Sequence, residues 1–137
     1  MNQKVFLLLL PFVFFLGCSS KQQPIATKSA TIIFKTPSVK FYDKGFVEKY
    51  DEKVHLSIFN IGIPVFSLDI YENKICQGAF SCVDGTEFNK QILSPEYKKD
   101  FLYKLFKSEN INFKDLENGI FIKVLYDELE HNSSVEQ

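Results

Sequence analysis

The sequence has no tryptophan and no arginine, and only one methionine, two histidines and three cysteines. Arginine is the usual residue for a bidentate grip on phosphate or carboxylate, so a chain whose 16 basic residues are all lysine is poorly suited to a nucleotide site. A formal net charge of -1 supplies no basic excess, which argues against nucleic acid as a partner. Gly-x-Ser-x-Gly, a glycine-rich phosphate loop and His-Glu-x-x-His are all missing. No group of His, Cys and acidic residues has metal-ligand spacing. The expectation is therefore a protein without cofactor or metal, and not an enzyme. His55 alternates with apolar neighbours and is expected to face solvent, or a cavity if the sheet closes; His131 lies in a polar tail.

A long hydrophobic run is also missing. The apolar stretch over residues 5–16 is too short to cross a bilayer, which takes about 20 helical residues. With Lys4 before it, the stretch has the length of an export-signal core. Phe15-Leu16-Gly17-Cys18 resembles a lipobox, in which a small residue precedes the cysteine that accepts diacylglycerol. Residues 1–17 are read as a lipoprotein signal peptide and Cys18 as the lipidated N-terminus, against an ordinary cleaved signal or an uncleaved anchor. Ser19 and Ser20 follow. By resemblance to the sorting rule of enterobacterial lipoproteins, the absence of Asp there favours the outer membrane, facing the periplasm. Cysteine parity agrees: with Cys18 consumed by lipid, Cys76 and Cys82 can pair in an oxidising compartment. The alternatives for that pair are two reduced buried thiols or a redox couple, although the spacing is not Cys-x-x-Cys.

What the chain has in quantity is phenylalanine, 15 in all, within a composition 45% hydrophobic. That is enough for one small core. Residues 18–30 read as the lipidated N-terminus and a flexible polar tether, 31–126 as an antiparallel β domain, and 127–137 as a polar tail. Val54, Leu56 and Ile58 alternate with polar residues, as do Phe66, Leu68 and Ile70, so each set forms one face of a strand. Ser94 as N-cap and Pro95 at the first turn predict an amphipathic helix near 95–107. The fold class expected is α+β, a curved, half-barrel-like antiparallel sheet packed on one main amphipathic helix. Between the two clear strands, Ile61 and Ile63 sit in the turn itself, where polar residues are usual. Either they are exposed for an interaction, or the tip folds back into the core.

These elements resemble the LolB family of outer-membrane lipoprotein receptors. Val39-Lys40-Phe41 is similar to its early strand, and His55-Leu56-Ser57-Ile58-Phe59-Asn60 to the strand entering its loop. Ile61-Gly62-Ile63-Pro64 stands at the loop tip, Phe66-Ser67-Leu68-Asp69-Ile70 at the exit strand, and Pro95 to Lys107 at a later helix. The resemblance implies a membrane-anchored lipoprotein that binds lipid or lipoprotein acyl chains and serves outer-membrane lipoprotein localisation. Phe41, Leu56, Ile58, Phe66 and Leu68 would line its apolar cavity, and Ile61 and Ile63 would touch membrane or acyl chains. The competing expectation is a small accessory lipoprotein that docks on an envelope protein complex.

Overall fold

The computed structural model describes residues 21–128; the signal peptide, Cys18, His131 and nearly all of the expected tail lie outside them. The strands are β1 (Ala26–Lys35), β2 (Lys40–Lys49), β3 (Lys53–Asn60), β4 (Ile63–Tyr71), β5 (Lys74–Gln77), β6 (Ser81–Asp84), β7 (Asn112–Asp115) and β8 (Ile120–Tyr126). Two short helices, α1 (Gly85–Ile92) and α2 (Phe101–Lys107), come between β6 and β7. All eight strands form one open antiparallel sheet in the order β6-β5-β4-β3-β2-β1-β8-β7.

This corrects the expected architecture. The helix predicted over 95–107 is only its second half, and the sheet is not packed on one main amphipathic helix. Ser94 and Pro95 open a single turn, with the Tyr97 N–H on the Ser94 carbonyl at 3.3 Å, and the chain after it is tied to neighbouring elements. The fully buried Asn89 of α1 donates its amide to the carbonyls of Tyr97 (3.3 Å) and Lys98 (2.8 Å). The Tyr97 hydroxyl donates to Asp115 at the end of β7. Residues 94–100 are thereby held as successive turns, and α2 starts at Phe101 with Asp100 before it. Asp84, in what reads as a simple Asp-Gly turn, is instead the N-cap of α1, accepting the Thr86 N–H at 2.8 Å.

The alternating apolar residues do what their period requires. Ile32 and Phe34, Val47, Val54, Leu56 and Ile58, Leu68 and Ile70, and Ile122 all reach one face and are buried there. Leu102 and Phe106 of α2 and Phe88 of α1 join the same cluster. Phe66 lies 5.4 Å from Phe34 and 4.7 Å from Phe41, ring centre to ring centre. Gly45 is needed where β2 passes β3, because a Cβ there would lie 2.1 Å from the Ser57 carbonyl oxygen. β1 starts at Ala26, so five residues assigned to the tether are strand. Their polar run Ala-Thr-Lys-Ser-Ala is extended because it pairs residue by residue with β2, from Ala26 opposite Lys49 onward.

Candidate docking site

The β3–β4 hairpin closes on Ile61 and Gly62, both at positive φ (49° and 74°). A two-residue hairpin loop with both φ positive suits the twist of its strands, and Asn-Gly or Asp-Gly normally supplies it. Here the first position is isoleucine, a β-branched residue in the left-handed region, where its Cβ crowds the following carbonyl. Nothing local offsets this cost, since Ile61 is 95% exposed. The four residues after it, Gly62, Ile63, Pro64 and Val65, are exposed as well. Both alternation sets of β4 are therefore uncovered at this end of the hairpin. The tip does not fold back into the core.

Two features explain this exposure. The register slips between Ile58 and Phe59, a bulge that turns the last residues of β3. In addition β5 pairs only with Leu68, Asp69 and Ile70, so residues 63–67 have no strand beside them on that edge. Pro64, with no N–H to offer, blunts this free edge against pairing with another chain. The rim is polar, with the Asn60 amide donating to Asp43 at 3.1 Å. On the sheet face opposite the core, Phe46 and Phe59 pack edge to face at 5.8 Å, and Phe46 is partly exposed. A second exposed apolar turn lies on the next hairpin, where Phe80 between β5 and β6 is entirely uncovered. In the sequence Phe80 reads only as one more strand residue; its place inside the ring closed by the cysteines is the signal that marks it as a turn. Cys76 and Cys82, directly opposite one another on β5 and β6, form the disulfide.

The residues expected to line an acyl-chain cavity are placed otherwise. Leu56, Ile58 and Leu68 have no accessible surface at all, Phe66 is buried, and Phe41 is half-buried against it. A side chain lining an open cavity would be reachable by water; of the five only Phe41 is, and it stacks on Phe66. Three surface depressions of about 390, 410 and 250 Å³ lie elsewhere, at the β4–β5 turn, along α2 and beside the β7–β8 turn, and none is lined by the five residues.

His55, Asp69, Tyr97 and Asp115 are likewise held by neighbours, whereas the buried Asn89 Oδ1 and Tyr126 hydroxyl have no hydrogen-bond partner. His55 is half-buried on the face opposite the core, its Nδ1 2.7 Å from Asp69 Oδ1, which also takes Lys53 Nζ at 3.2 Å. Asp115 is bound by Asn118 (2.8 Å) and by the Tyr97 hydroxyl, contacts that hold its carboxyl below the usual carboxylate range. Burial, then that bond to Asp115, pushes the Tyr97 phenol well above its ordinary value. This group fastens the 94–100 segment to the β7–β8 turn. Among the described residues no helix is long and apolar enough to cross a membrane. No protein-family model, no curated protein and no solved structure matches this chain.

Proposed function

We propose that this chain is a non-catalytic docking module of the cell envelope, tethered by lipid on Cys18, that engages a protein partner through the Ile61–Gly62–Ile63 tip. One observation carries the reading: a strained, 95% exposed isoleucine in a run of six consecutive exposed residues, 60–65, four of them large and apolar or proline. Strained backbone and uncovered apolar surface both reduce stability or solubility, and both are found where a site has a use for them. The filled core supports docking over the carriage of acyl chains, which needs open space between sheet and helices.

Covering Ile61 and Ile63 would contribute about 3–6 kcal/mol at 1.5–3 kcal/mol per side chain. The double variant Ile61→Asp/Ile63→Asp should therefore weaken docking by roughly two orders of magnitude or more in Kd. A photo-crosslinking amino acid at position 61 or 63, in cells, should give one discrete protein adduct; the same group at Glu72, exposed in the β4–β5 turn, should not. Purified protein that carries a stoichiometric acyl lipid, with no adduct from the tip, would overturn the proposal. The intact mass of the mature N-terminus tests the anchor separately, because a diacylglyceryl group on Cys18 has a defined mass.

A further inference from the structure

We propose that the tip meets its partner on the side of the domain away from the anchoring bilayer, and that the occupant is a protein with an apolar recess. This rests on the lipid-tethered reading above. The sheet has two unlike ends. Its order places the β1–β2, β3–β4, β5–β6 and β7–β8 turns at one end. Ile61, Ile63 and Val65, Phe80 and Leu116 are exposed there, one hairpin after another. The β2–β3 and β4–β5 turns lie at the other end and carry Asp51, Glu52 and Glu72.

The N-terminal chain enters at this second end. The Ile25 N–H donates to the Lys49 carbonyl at 2.7 Å, so the chain is still running along the strand axis there, pointing away from the tip. Cys18 and Ile25 are seven residue steps apart, a reach of at most about 25 Å. Thr31 pairs with Lys44, and Lys44 with Phe59, so Ile61 lies level with Ile33. That is seven residues up β1 from Ala26, or about 23 Å. With the strand axis upright on the bilayer, the tip would enter the membrane that holds Cys18 only if the tether reversed and ran nearly its full reach back along the sheet. A protein partner needs no such path. Side-chain recognition suits the surface, because Pro64 withholds an N–H from the free edge of β4, while Ile61, Ile63 and Phe80 offer separated anchors with Asn60 and Asp43 at the rim.

The test uses the full lipidated protein in phosphatidylethanolamine–phosphatidylglycerol vesicles. Cys76 and Cys82 are bridged and Cys18 carries lipid, so Ile61→Cys or Asp51→Cys introduces a single labelling site for an environment-sensitive fluorophore. Energy transfer to acceptor headgroups should be roughly twofold or more greater from position 51 than from 61, for a displacement of about 23 Å. The label at 61 should be untouched by nitroxides on the acyl chains. A blue-shifted, nitroxide-quenched label at 61 would overturn the inference in favour of the bilayer as occupant, and equal transfer from both positions would overturn the upright orientation. Either result with diacylglyceryl-Cys18 present leaves the tether reading standing. A mature N-terminus without the lipid removes both.

Discussion

Ile61→Asn should make the fold more stable while removing its principal docking contact. The left-handed conformation costs an L-residue about 1–2 kcal/mol, and a β-branched side chain lies at the unfavourable end of that range. Asn adopts this conformation readily, and Asn-Gly is a preferred pair for such a turn, so the substitution keeps Gly62 and relieves the strain. Little burial is lost in exchange, because Ile61 is 95% exposed. A net gain of about 1 kcal/mol follows, which for a domain of this size raises Tm by about 4–8 °C. Thermal melts followed by far-UV circular dichroism, with the disulfide intact, measure it. Ile63→Asn is the control, since Ile61 is the one non-glycine residue at positive φ among the described residues: that variant should lose docking without gaining stability. A Tm for Ile61→Asn equal to or below that of the parent would refute the reasoning, because an unstrained isoleucine carries no sign of selection for function.

Gly45→Ala should destabilise by about 1–3 kcal/mol, the usual range for overpacking, since its Cβ would meet the Ser57 carbonyl at 2.1 Å and Ile32 Cδ1 at 2.6 Å; an unchanged urea midpoint would count against the close β2–β3 approach. Reducing Cys76–Cys82, or replacing both with Ser, should cost about 2 kcal/mol on the loop-entropy estimate and lower the melting temperature without unfolding the sheet. Acid should act through Asp115, bound by Asn118 and Tyr97, and through Asp127, bound by Lys44 and Ser29. Both carboxyls are lowered in the fold, so their contribution is present above the ordinary value of 3.8 and is lost as pH falls through the depressed values. Urea midpoints should be level from pH 7 to about 5 and fall below that; a rise on acidification would contradict the assignment.

The strands that alternate strictly are legible in the sequence alone. Leu56, Ile58, Leu68 and Ile70 announce one buried face by period, and an even pair of body cysteines announces the bridge. The features that local pattern does not reveal depend on partners distant in sequence. Residues 26–30 have no strand-like composition and are extended through the ladder with β2. Ser94-Pro95-Glu96 has every local mark of a helix start, but Asn89 and Asp115 hold its carbonyls and its tyrosine in turns. Asp84-Gly85 can cap a helix or make a turn, and only the packing of Phe88 into the core decides. The apolar hairpin tip suits core and surface equally by composition. Its exposure follows from β5 stopping at Gln77, opposite Leu68, a length that no local rule specifies.

The position of β1 bears on how the domain carries load. All ten of its residues pair with β2, and Ala30 to Lys35 pair with β8 as well. A pull delivered through the N-terminal chain therefore enters along the axis of a strand held by β2 over Ala26–Ser29 and gripped from both sides from Ala30 onward. Such a force has to shear many ladder hydrogen bonds together, where an edge strand would peel one bond at a time. The end at which the chain enters can thus transmit tension into the sheet while the hairpin tips at the far end keep their geometry.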